Sequence, residues 1–158
     1  MGHRIVTESV PNPAAGADWS FTASATDKCL LLAVTAKLTT SATAANRRPA
    51  LELEDQNDLT YWTGDAGFPQ VASLTVVYSW ARGASIPPPT AVADAERIAL
   101  PLPWLRLQPN DTVESATAAI DAGDQWSAIA YRAVVGDWWE DEQELAYLAQ
   151  AFAIGAAG

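Results

Sequence analysis

The feature that most limits what this chain can fold into is a period of two. Leu30, Leu32, Val34, Ala36 and Leu38 alternate with Leu31, Ala33, Thr35, Lys37 and Thr39. Successive side chains of a strand point to opposite faces, so this alternation sets one row against a core. The first half of the segment is apolar at every position, which predicts cover on both sides there. Leu51 and Leu53 alternate with Glu52 and Glu54, while Leu74, Val76, Tyr78 and Trp80 alternate with Ser73, Thr75, Val77 and Ser79. Shorter runs follow at Ile98-Ala99-Leu100, at Thr112-Val113-Glu114-Ser115 and from Trp126 to Val135.

Turn chemistry separates these runs. Asp55-Gln56-Asn57-Asp58, Gly64-Asp65-Ala66-Gly67, Pro109-Asn110-Asp111 and Asp121-Ala122-Gly123-Asp124 each reverse the chain, and Pro87-Pro88-Pro89 enforces an extended loop. Pro101 and Pro103 flank Leu102 and would break a central ladder, so that stretch predicts an edge or a strand exit. Roughly eight to ten short strands at such spacings point to an all-β antiparallel sandwich or barrel, and not to βαβ units.

From Gly136 the composition changes. Asp137 suits a helix N-cap, with acids in the first turn where the helix dipole favours them. Leu145, Leu148, Ala149 and Phe152 then recur on one helical face, with Trp138 a heptad before Leu145, and Gly155 ends the run. The expected organisation is a β-sandwich domain over residues 1–135 and an acidic C-terminal α-helix over residues 136–158. Trp138 and Trp139 point about 100° apart on such a helix. One can therefore face the domain while the other faces elsewhere: the helix either folds back on its own sandwich or docks on a neighbour through Trp138, Leu145, Leu148 and Phe152.

Charge narrows the partners. With 19 acids against 9 bases the formal charge is −10, which lacks the footprint that neutralises phosphates and is repelled by anionic membrane. No nucleic-acid or membrane partner is expected. The start of the chain, Met1 to Val6, lacks the apolar region of a signal peptide, and the longest apolar run, Cys29 to Val34, is too short to span a bilayer. The chain therefore reads as soluble and made in a cytosol.

Little chemistry is visible. His3 is the lone histidine and Cys29 the lone cysteine, so neither a Ser-His-Asp set nor a zinc site can be assembled. Cys29 reads as a small apolar core residue. No glycine-rich phosphate cradle is present. Glu52 and Glu54 sit about 7 Å apart on one strand face, a spacing near that of glycosidase pairs, but alternation makes them solvent-facing. Asp121 and Asp124 bracket a glycine without the dense oxygen pattern of a calcium loop, so they read as a turn. No catalytic residue, cofactor or metal is assigned. The candidate partner-binding residues are Trp138, Trp139, Leu145, Leu148 and Phe152, with Arg47 and Arg48 placed to pair with Glu52, Glu54 or a partner's carboxylates. The large rings suit sheet surfaces and interfaces, and Tyr61, Trp62, Trp80 and Trp104 are the aromatics that could meet a glycan.

The order of these pieces resembles a group of small virion structural proteins of tailed phages. The matching elements are Leu30 to Thr40, Ala44-Ala45-Asn46-Arg47-Arg48, Tyr78-Ser79-Trp80-Ala81, Leu100-Pro101-Leu102-Pro103 with Leu105 and Leu107, and Ala122 to Ser127. They span about residues 28 to 135, and the segment from Gly136 lies outside the likeness. The resemblance implies a jelly-roll-like β-sandwich without enzymatic activity. It implies a virion location, the head first, as a capsid decoration or minor capsid protein. Its partners would be the major capsid protein or other virion subunits and further copies of itself. A tail, collar or baseplate component is the alternative, and a carbohydrate-binding module for host attachment is a further one.

Overall fold

The computed structural model describes residues 3–85 and 92–136. Its strands are β1 (Arg4–Val10), β2 (Ser20–Thr22), β3 (Lys28–Thr39), β4 (Arg48–Glu54), β5 (Thr60–Asp65), β6 (Thr75–Ala81), β7 (Arg97–Pro101), β8 (Arg106–Leu107), β9 (Thr112–Ala118) and β10 (Gln125–Gly136). They form a six-stranded sheet in the order β1-β10-β3-β6-β7, with β8 also on β3, and a four-stranded sheet in the order β2-β9-β4-β5. The described residues are all-β, with two sheets whose inward residues share one core, as in a β-sandwich. The expected C-terminal helix, with Trp138, Trp139, Leu145, Leu148 and Phe152, lies outside the described residues, as does Pro87-Pro88-Pro89.

The pairings nest. β1 pairs with β10, β2 with β9, β3 with β6 and β4 with β5, all antiparallel. The chain is thus one long hairpin, folded so that successive pairs fall in alternate sheets. β7 and β8 occupy the connection from β6 to β9.

One pairing departs from the antiparallel expectation: β7 runs parallel to β6, from Val77 opposite Arg97 to Ala81 opposite Pro101. A parallel neighbour needs a crossover of a dozen or more residues, and residues 82–96 supply that length. β7 is an edge strand ending at Pro101, where proline's missing donor costs no ladder bond.

The alternation of β3 also departs from expectation. Residues Leu30 to Leu32 are buried on both faces, as the apolar run predicts. However, Cys29 and Leu31 face the core first, and Val34, Ala36 and Leu38 face it afterwards. The parity changes because Arg132 pairs with Ala33 but Ala133 with Leu31, which leaves Leu32 as an extra residue. That bulge moves Leu30 and Leu32 to the outer face, opposite the expected one. A second shift lies between Ser127 and Ala130, where Ala128 adopts φ 49°.

The aromatic rings fill the interior more than the surface. Trp19, Trp80 and Trp126 are buried with Tyr78. Trp126 meets Trp19 edge-on, with ring centroids 6.4 Å apart, and Tyr78 at 6.1 Å. Phe21 stacks on Tyr131 at 4.1 Å, so rings from both sheets interlock.

Candidate functional site

Two polar clusters tie the sheets together, one fully buried and one centred on an exposed carboxylate. Arg47 precedes β4 in the four-stranded sheet, and Asp124 precedes β10 in the six-stranded one; both side chains are fully buried. Arg47 Nε donates to Asp124 Oδ2 at 2.8 Å and Nη2 to Oδ1 at 2.9 Å, a fork-to-fork pair. The remaining guanidinium hydrogens reach Ser41 Oγ at 3.0 Å, Thr43 O at 2.7 Å and Ala45 O at 3.1 Å. Asp124 also accepts from the amides of Ser41 and Asp121 at 2.8 Å each. Burial pushes its carboxyl pKa upward, but these hydrogen bonds and the guanidinium charge outweigh it and hold the group below the ordinary value.

This corrects the expectation for Arg47. Its partner is Asp124 rather than Glu52 or Glu54, and every donor it has is used inside the fold, so it offers nothing to another subunit. Arg48, one residue on, is exposed and remains on the surface. The turn reading of residues 121–124 agrees with the Asp124 amide bonding Asp121 O at 2.9 Å.

The second cluster centres on Asp18. Its carboxylate accepts from Ser115 Oγ and Thr117 Oγ1 at 2.6 Å each, from the Thr117 amide at 3.0 Å and from Trp126 Nε1 at 3.2 Å. The pre-β2 segment is thereby fixed to β9 and β10. Sequence patterns gave no sign of either cluster, because the partners lie 77 to 108 positions apart.

The outer faces differ in charge. On the six-stranded sheet, alternation with the core rows places Lys28, Lys37, Arg97, Arg106 and Arg132 outward. These are five of the nine bases in the chain. The one acid on the six strands, Glu8, is on the other side, where it accepts from the Tyr131 hydroxyl at 2.7 Å. On the four-stranded sheet Glu52, Glu54, Asp65 and Glu114 face outward, with Arg48 as the base among them.

Glu52 and Glu54 are joined by Glu114, directly opposite Glu52 on β9, and carboxylate oxygens of the three lie within 4.8 Å of one another. Glu114 is raised above the ordinary carboxylate value, first by partial burial and then by repulsion from Glu54 and Glu52. Oxygens this close could share a divalent cation. Threonine hydroxyls of β5 already donate to two of the three: Thr60 to Glu54 at 3.0 Å and Thr63 to Glu52 at 3.4 Å. The geometry is that of an acidic sheet surface.

The other expected groups are scattered. Cys29 is buried in the core with its thiol pushed up to about 12, by burial first and by Glu8 second, so it is not a nucleophile at neutral pH. Among the glycan candidates Trp80 is fully buried, donating to Gly64 O, and Trp62 lies half-buried over Gly64. Tyr61 and Trp104 stay exposed. The Tyr61 hydroxyl is committed to Asp111 at 3.0 Å, and the Trp104 ring carries the Arg82 guanidinium 3.6 Å from its centroid. The four rings do not make one platform.

What the arrangement offers is therefore a rigid two-layer body with one basic and one acidic face. No known protein family, curated protein or solved structure matches the chain.

Proposed function

We propose that this chain is a structural protein of a phage particle, a capsid decoration or minor capsid protein that acts by binding other subunits. The observation that carries the reading is the strand order. Layers β1-β10-β3-β6 and β2-β9-β4-β5, built from nested antiparallel pairs, follow the wrapping of a jelly roll, an architecture used by viral capsid and lectin domains. A fold alone does not fix a function. The sequence resemblance described above supplies the particle, and the charged faces supply a means of contact. Faces of opposite sign steer encounter and fix register between subunits, and the buried ion pair keeps the two faces in one fixed relation. Partners on this reading are the major capsid protein or other virion subunits, and further copies of the chain.

Quantitative mass spectrometry of purified virions, scaled to the major capsid protein, tests the proposal. Copies in the hundreds are expected for a protein spread over a shell. A handful would move it to the tail, collar or baseplate, and absence from the particle would overturn the reading.

A further inference from the structure

β1 closes one side of the six-stranded sheet, and among the described residues no strand lies on its far side. The outward backbone donors and acceptors of such an edge are a template for another strand. The other edges are blunted. β7 ends in Pro101, β2 has three residues, and β5 carries a register shift against β4. β1 has seven residues with neither proline nor lysine, and its ladder to β10 runs without a bulge from Arg4 to Val10. What it does carry is one base and one acid on the same row. Val10 is in the core and Val6 packs against it, so Arg4 and Glu8 share their inward side. Both are nevertheless exposed, because the strand is an edge. Four residues of strand hold them about 13 Å apart, too far to pair with each other. Arg4 makes no hydrogen bond or ion pair among the described residues. Glu8 accepts from Tyr131 through Oε2, which leaves Oε1 for a further donor.

We propose that β1 is a self-association edge: two copies join strand to strand, antiparallel, about a two-fold axis at Val6. Arg4 of each copy then stands opposite Glu8 of the other, and Val6 faces Val6. A two-fold contact is isologous, so both ion pairs form together. The row Arg4-Val6-Glu8 is its own complement when reversed. Parallel pairing in register would set like charges side by side, and a shift of two residues along the antiparallel pair would leave both charges opposite valine. The charges therefore fix direction and register. The outer row gains as well. Ile5, 45% exposed beside Val134, falls opposite Thr7 and diagonal to Ile5 of the second copy, where cross-strand contact covers it. The result is one sheet continuous through both copies. This inference specifies the contact between copies that the reading above leaves open. It stands or falls in a solution of the pure protein, so a copy-number result against the virion reading leaves it unaffected.

Analytical ultracentrifugation of the full-length protein tests the proposal. The wild type is expected to sediment as a dimer. Arg4→Glu or Glu8→Arg is expected to weaken that dimer at least about tenfold, because each sets two like-charged pairs face to face. An equal mixture of the two variants is expected to recover it, since each chain then meets the opposite charges. Oxidised Val6→Cys is expected to give a disulfide-linked dimer, because residue 6 meets its own copy across about 5 Å. Oxidised Ser9→Cys, well off the axis, is expected to stay unlinked, and Cys29 is buried and does not compete. Should a charge variant fail to fold, the cysteine pair decides alone. A wild type still monomeric at about 1 mM overturns the proposal. So does a dimer that neither charge change weakens, a mixture of folded variants that stays monomeric, or a dimer that Val6→Cys links no better than Ser9→Cys.

Discussion

At the scale of single residues, Arg47 and Asp124 matter most to integrity. Each is fully buried and each spends all its hydrogen-bonding capacity on the other or on nearby loops. Such a pair contributes little net energy relative to an apolar substitute, yet removing one member strands the other charge in the interior. Asp124→Asn is expected to lower the urea-unfolding free energy at pH 7 by about 3–5 kcal/mol, while Arg47→Met combined with Asp124→Leu costs less than the single change. The pH dependence has a definite sign. The folded pKa of Asp124 lies below its unfolded value, so its contribution is complete above the unfolded value and is lost as pH falls through the folded one. Wild-type stability should accordingly fall in acid more steeply than that of Asp124→Asn, as urea titrations from pH 7 down to pH 3 would show.

At the scale of elements, the strands were legible where one face is buried. Val76, Tyr78 and Trp80 on β6, and Leu51 and Leu53 on β4, alternate in the sequence and point inward in the fold. β8 has only two residues, too few to show any period. β3 was legible as a strand, but its facing was not, because Leu30-Leu31-Leu32 is apolar at every position and hides a one-residue bulge. Ala128 in β10 illustrates the same blindness. Alanine carries no turn signal, yet it sits exposed at φ 49°, where an L side chain crowds its own carbonyl. Ala128→Gly should relieve this and raise stability by about 0.5–1 kcal/mol, after allowing for the extra chain entropy glycine loses. A urea midpoint that rises at constant slope would confirm it. A midpoint that falls would mean the methyl group contributes packing that outweighs the strain.

At the scale of the whole molecule, the sandwich class followed from strand count and turn spacing, but the charged faces did not. Lys28, Lys37, Arg97, Arg106 and Arg132 lie far apart in sequence and share a face only through pairing. The carboxylate trio was half visible, since Glu52 and Glu54 stand two apart, whereas Glu114 joins them across strands. Arg47 stands beside a turn at Asn46, and a turn does not reveal whether a side chain leaves or enters the interior.

The nested pairing has a mechanical consequence. Arg4 opposes Val135, so β1 begins where β10 ends. A force applied between residues 4 and 136 peels these strands apart one hydrogen bond at a time. A force between Pro11 and Gly136 loads the same ladder in shear, with its bonds resisting together. Single-molecule pulling should find the first geometry yielding at markedly lower force than the second. A body built this way withstands load brought to its faces and gives way to a tug on its ends, so whatever anchors it in a larger structure must grip it by the sheets.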